Sequence, residues 1–113
     1  RVVKSVEPPP QRPLSDELFF DSKGLPNYNV IKKHLAKEGK IQKEHFMKLI
    51  VDAMEIMKKE DNLVKLAEPV CVVGDIHGQY YDFVHLLEKA GSPKKINYIF
   101  LGDYVDRGIF SVE

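Results

Sequence analysis

The sequence is poor in several features whose abundance would indicate a particular class of protein. Its single cysteine, Cys71, excludes an intramolecular disulfide framework and a cysteine-rich zinc module. Seventeen basic side chains balance seventeen acidic ones, so charge gives no reason to expect a nucleic acid as partner. No apolar run approaches the roughly 18 residues that span a bilayer, and residues 1–6 lack the apolar core of a secretory signal. We therefore expect a cytoplasmic protein without a membrane span.

The composition is that of a folded chain, and it divides into two parts. Hydrophobic residues make up 43% and charged residues 30%, which is typical of a globular protein. Residues 1–28 begin with a proline-rich arm (Pro8, Pro9, Pro10 and Pro13) and continue into turn chemistry at Gly24 and Pro26. We interpret residues 29–113 as the folded part, and because the chain stops directly after a motif-dense stretch, we expect it to be an amino-terminal fragment.

Hydrophobic periodicity predicts an α/β arrangement in residues 29–113. A short helix capped by Asn29 is expected to about Lys37, with Gly39 as its stop, and longer helices over about 43–59 and 80–90. Short β-branched or apolar runs at 70–73 and 98–101 predict strands covered on both faces, with Cys71 buried in the first. Strand, helix and strand then form one βαβ unit. The helix over about 43–59 has an apolar stripe that should be buried, and its members are Phe46, Leu49, Ile50, Ala53, Met54 and Met57.

Each predicted strand runs directly into a Gly-Asp pair. The first gives Gly74-Asp75-Ile76-His77-Gly78, and the second gives the run from Gly102 to Gly108, which contains Asp103. The carboxyl ends of parallel strands meet at one edge of a sheet, and residues two apart in extended backbone point the same way. One imidazole and two carboxylates at one edge suit zinc, iron or manganese. The pattern therefore favours a metal or phosphate site containing Asp75, His77 and Asp103.

Two further side chains in the second run have alternative interpretations. Arg107 offers a planar guanidinium that matches phosphate oxygens, but a salt bridge to Asp106 or Asp103 explains it equally well. Asp106 lies three residues after Asp103 and has the chemistry of a carboxylate that orients a histidine. The remaining histidines (His34, His45 and His85) have no partners at metal-ligand spacing, so we interpret them as surface or packing residues.

The two runs resemble the first two signature motifs of the phosphoprotein phosphatases, the metal-dependent serine/threonine phosphatases. The resemblance is close over residues 68–113. Softer similarity upstream, at residues 1–4, 19–26 and 31–41, points to the calcineurin branch, whose catalytic A subunits depend on calcium and calmodulin. It implies a metallophosphatase-type β-sandwich flanked by helices, of which this chain would supply the helical amino-terminal part and the first βαβ unit.

The resemblance also implies roles for single residues. Asp75 and His77 would bind the first metal, Asp103 would bridge both metals, and Arg107 would hold the substrate phosphate. Asp106 would pair with the histidine of a third motif, Gly-Asn-His-Glu, which this chain does not contain. The cofactors would be two metal ions, iron with zinc, or manganese. The reaction would be hydrolysis of phosphoserine and phosphothreonine by a metal-bound hydroxide.

Partners and activity follow from the same resemblance. Phosphoprotein substrates, a calcium-binding regulatory B subunit and calmodulin are implied, although the segments that bind the last two are absent from these 113 residues. Three ligands cannot hold two metals in the family's geometry, so we expect the 113 residues alone to be inactive. Two alternatives stay open at this point: a truncated, non-catalytic binding module, and a phosphatase of the same family without calcium control.

Overall fold

A computed structural model describes residues 5–113, which divide into two compact units, one that ends at Glu60 and one that begins at Asp61. The resemblance at residues 1–4 and the first part of the proline arm lie outside the described residues. Residues 7–10 and 13 of the arm carry no helix or strand. No helix in the described part of the chain has the length and apolar character needed to cross a membrane.

The first unit is helical. It contains α1 (Asp16–Phe19), α2 (Tyr28–Ala36) and α3 (Lys43–Met57), of which α1 was not predicted. The cap of α2 is Asn27, not Asn29, because the Asn27 side chain accepts a hydrogen bond from the Val30 amide at 3.4 Å. The predicted turn is confirmed: Gly24 has φ 74°, and Phe20 bridges to Pro26.

The core of this unit is small and contains a histidine. Leu14, Phe19 and His45 are buried, and the His45 ring stacks on Phe19 with centroids 4.2 Å apart. His45 Nε2 also lies 2.8 Å from Asp16 Oδ1, so this histidine is a packing residue with a carboxylate partner 29 positions away. Because the two residues are so far apart in the sequence, no local spacing pattern could have predicted their contact.

The predicted burial of the α3 stripe is wrong for the described residues. His45 is the buried residue of α3, whereas Phe46, Ile50, Met54 and Met57 are 38–67% exposed. The neighbouring helices α1 and α2 have four and nine residues, and they offer too little apolar surface to cover fifteen residues of α3.

The second unit is the predicted βαβ arrangement. It consists of β1 (Val70–Val73), α4 (Tyr80–Ala90) and β2 (Asn97–Phe100), and the strands pair in parallel with Val70 opposite Asn97 and Val73 opposite Phe100. Helix α4 ends at Gly91 as expected, where φ is 108°. The predicted α/β class is confirmed, and β2 begins one residue earlier than predicted.

The strands are not covered on both faces. Val72 is 60% exposed, Ile99 is 37% exposed, and Cys71 is half-buried instead of buried. Val73, Tyr80 and Leu87 form the buried side of the unit, and Phe83 of α4 packs edge-on against Phe100 of β2. A two-stranded sheet with one helix can cover one face only, so the other face keeps its apolar side chains in contact with solvent.

Candidate metal centre

The loops that follow β1 and β2 are joined by backbone hydrogen bonds. The Leu101 amide donates to Val73 O at 3.0 Å and extends the strand pairing by one residue. Beyond it, the Asp103 carbonyl accepts from the amides of both Ile76 and His77, at 3.0 and 2.9 Å. The two predicted motifs therefore lie against each other at the carboxyl edge of the sheet.

This pairing brings the three predicted ligands together. His77 Nε2 lies 3.7 Å from Asp75 Oδ2 and 3.8 Å from Asp103 Oδ2, and one ligand atom from each residue falls within 4.8 Å of the others. The Asp75 and Asp103 side chains are about two-thirds exposed at 66% and 68%, while that of His77 is 17% exposed. The group is open to solvent on its carboxylate side.

The reason for this convergence differs from the one predicted. Alternation in extended backbone was expected to align Asp75 with His77, but His77 has φ 47° and lies in the left-handed region. Asp103, Asp106 and Arg107 also have positive φ, between 52° and 65°. Non-glycine residues rarely adopt this conformation, and such residues persist where surrounding contacts hold them, commonly at functional sites.

A backbone carbonyl fixes the orientation of the histidine. His77 Nδ1 lies 2.8 Å from Val105 O. A carbonyl oxygen can only accept, so Nδ1 donates, and Nε2 is the ring nitrogen that lies toward the two carboxylates. This is the arrangement that metal-binding histidines usually show. The role of Val105 could not be predicted from the sequence, because a contact through a backbone carbonyl leaves no signature in side-chain identity.

The donor set fits a metal ion. Two carboxylates close together repel each other, and a cation between them offsets that repulsion. An imidazole nitrogen together with carboxylate oxygens is a donor set that can hold a metal ion. The three side chains also come from two different loops and meet at one point. Neighbouring residues of a single surface segment would form a cluster without any such meeting of loops.

Two glycines allow the loops to approach. A Cβ on Gly108 would lie 2.6 Å from the carbonyl carbon of Gly78 and closer still to His77 O. A Cβ on Gly78 would lie 2.8 Å from Ser111 Oγ and 2.9 Å from Gly108 O. Gly78 and Gly108, which have no side chain, therefore allow the two loops to approach each other.

Arg107 and Asp106 lie in the second loop, beside the candidate ligands. Both are exposed, and within residues 5–113 neither the Arg107 guanidinium nor the Asp106 carboxylate has a hydrogen bond or ion pair. The salt-bridge interpretation of Arg107 is therefore not supported. The His77 ring is oriented by Val105 O, and the pairing of Asp106 with another histidine stays a prediction.

The carboxyl part of the chain matches a known family. The model of the calcineurin-like phosphoesterases matches residues 68–113, which contain both loops. These residues of the chain belong to the calcineurin-like phosphoesterase family. The predicted membership is thereby confirmed.

The curated proteins that the chain matches include serine/threonine-protein phosphatases of yeasts. The chain is 51% identical over 100 residues to serine/threonine-protein phosphatase 2B catalytic subunit A1 of Saccharomyces cerevisiae, which covers 88% of the chain and 18% of the relative. Subunit A2 of the same organism is 39% identical over 113 residues, covering all of the chain and 19% of the relative. A Candida glabrata serine/threonine-protein phosphatase 4 catalytic subunit is 45% identical over 78 residues, covering 68% of the chain and 25% of the relative. The chain therefore spans less than a fifth of the 2B subunits that it matches.

Proposed function

We propose that the protein is a metal-dependent protein serine/threonine phosphatase and that this chain supplies part of its active site. The observation that carries the proposal is the convergence of Asp75, His77 and Asp103 at the sheet edge, with Arg107 in the same loop as Asp103. The names of the relatives support the class of substrate.

The roles proposed for the ligands follow from the resemblance to the phosphoprotein phosphatases. Asp75 and His77 would hold a first metal ion, and Asp103, which reaches the group from the second loop, would bridge to a second ion. We propose iron with zinc, or manganese, as the pair. Metal ions bound there would act as Lewis acids and make hydroxide available near neutral pH, since a bound water can titrate near 7 instead of about 15.7.

The other two residues would act on the substrate. The Arg107 guanidinium would bind two oxygens of the phosphoryl group and neutralise part of its charge. Hydrolysis forms a bond from a water oxygen to phosphorus, breaks the bond from phosphorus to the serine or threonine oxygen, and leaves a proton on that oxygen. Asp106 would support the histidine that delivers this proton, from a motif that lies outside residues 1–113.

We further propose that the protein is of the 2B type, with a regulatory B subunit, calmodulin and phosphoproteins as partners, in the cytoplasm. The 2B relatives match 88% and 100% of the chain, whereas the type 4 relative matches 68%. Calcium control can be measured directly. Activity of the complete enzyme that rises with calcium and calmodulin supports this assignment, and activity indifferent to a calcium chelator contradicts it.

The phosphatase proposal is tested by one matched pair of variants. Asp75→Asn and Asp82→Asn make the same chemical change, but Asp82 lies on α4, outside the candidate ligand group. In the complete catalytic subunit, we expect two metal ions per chain and release of phosphate from phosphoserine and phosphothreonine peptides. Asp75→Asn should lose metal and activity while Asp82→Asn keeps both. A wild-type enzyme that releases no phosphate contradicts the proposal.

A further inference from the structure

A serine beyond the second motif contacts the backbone of the loop that carries Arg107. Ser111 is half-buried, whereas Asp106 and Arg107 are exposed. Its Oγ accepts a hydrogen bond from the Asp106 amide at 3.1 Å and donates to Gly108 O at 3.4 Å. The hydroxyl therefore accepts one hydrogen bond from the turn that contains Arg107 and donates another to it.

That turn needs outside support. Asp106 and Arg107 have φ values of 65° and 59°, so two consecutive non-glycine residues adopt the left-handed conformation. Such residues are retained where neighbouring contacts specify them. Within the turn, the Gly108 amide donates to Asp106 O at 2.7 Å, and the Ser111 hydroxyl adds the contact to the Asp106 amide.

The serine also lies against the first loop. A Cβ on Gly78 would be 2.8 Å from Ser111 Oγ, and the Phe110 amide donates to Gly78 O at 3.3 Å. Ser111 is thus placed where the loop after β1 meets the turn with Arg107. The three candidate ligands, in contrast, are held by other bonds, including those to Asp103 O and Val105 O.

We propose that Ser111 is a positioning residue for phosphate recognition: its hydroxyl holds the turn from Asp106 to Gly108 so that Arg107 meets the phosphate. The inference rests on the proposed function, since it takes Arg107 as the phosphate-binding residue. Without the hydroxyl, the Asp106 amide and the Gly108 carbonyl lose their partner, the turn loosens, and Arg107 is less well oriented. Metal binding should be unaffected.

The experiment compares Ser111→Ala with Ser92→Ala in the complete, metal-loaded catalytic subunit. Ser92 is a matched control because its Oγ accepts from the Lys94 amide at 3.3 Å, at the opposite end of α4 from the motif loops. Affinity for inorganic phosphate is measured by titration calorimetry, together with KM and kcat for a phosphopeptide and with metal content.

We expect Ser111→Ala to weaken phosphate binding and raise KM by about 2- to 13-fold, the range for one neutral hydrogen bond. Metal content should stay unchanged, and Ser92→Ala should match the wild type. A merely structural role would instead lower kcat through loss of active protein and leave phosphate affinity unaltered. Unchanged affinity, or loss of metal, overturns the proposal.

A double variant tests whether Ser111 acts through Arg107. In an Arg107→Ala background, Ser111→Ala should have no further effect on phosphate affinity, and a full additional loss overturns the proposal.

If Ser111→Ala fails to fold, Ser111→Cys serves in its place, because it keeps a similar shape with a weaker acceptor. It should give a smaller loss of phosphate affinity, and no loss of affinity overturns the proposal. Since calorimetry needs no turnover, a wild type that binds phosphate without hydrolysing peptides refutes the proposed function and still allows this comparison.

Discussion

The close contact of the two motif loops predicts that Gly108 tolerates no side chain. In Gly108→Ala, the new Cβ would lie 2.6 and 2.7 Å from the carbonyl carbon and oxygen of Gly78, about 0.7 Å short of ordinary contact. The atoms that must yield are backbone atoms of His77 and Gly78, which cannot rotate away as a side-chain end can. The two loops must therefore move apart.

The magnitude follows from overpacking and from the position of the clash. Overpacking of this kind costs about 1–3 kcal/mol in the free energy of unfolding. The displaced backbone carries His77, and a misplacement approaching 1 Å at a reacting centre costs roughly 100-fold in rate. We expect Gly108→Ala in the complete catalytic subunit to lower kcat/KM about 100-fold, with weaker metal retention.

Two other glycines of the same loops provide the controls. A Cβ on Gly74 has no neighbour within 4 Å and no positive φ, so Gly74→Ala should change stability by less than about 0.5 kcal/mol. Gly102 also has open space but φ 108°, so Gly102→Ala isolates the cost of backbone strain. Denaturant unfolding and kcat/KM are measured for all three. If Gly108→Ala behaves like Gly74→Ala, the argument from close loop contact is refuted.

Three further predictions concern the candidate active site. Asp103→Asn should remove nearly all phosphatase activity of the complete enzyme, because the residue is proposed to bridge two metals; retention of more than a tenth of the activity contradicts that role. Arg107→Lys should raise KM by about 10-fold or more while metal content stays constant, because a point charge cannot replace a bidentate guanidinium; an unaltered KM argues against phosphate binding. Residues 1–113 alone should hydrolyse no phosphopeptide, since the described part contains one three-residue ligand group; steady turnover by a pure sample disproves this.

The exposed apolar surface differs from the burial that the strand sequences predict. The two strands have the apolar composition of strands that are covered on both faces. One face of the sheet has no covering layer, so Val72 and Ile99 are exposed to solvent. The stripe of α3 behaves in the same way. Periodicity therefore identifies which side chains are suited to burial, but the surface available to cover them is a property of the whole fold.

The sequence by itself determined the elements of the second unit and the identity of the candidate ligands. The periodicity of residues 80–90, the β-branched run 70–73 and the two Gly-Asp pairs are local signals, and each was located to within a residue or two. Asp75, His77 and Asp103 could be named because strands that pair in parallel place their carboxyl ends together, whatever the detailed loop geometry.

Only the tertiary structure decided how these residues are held. Two of the contacts that hold them involve backbone atoms: His77 donates to Val105 O, and Ser111 Oγ accepts from the Asp106 amide. The turn at Asp106 and Arg107 also has a left-handed backbone, which the sequence does not indicate. The pairing of His45 with Asp16 likewise spans 29 residues. Backbone carbonyls and amides are the same in every residue, so their partners depend on how the chain folds back on itself and leave no pattern in the sequence.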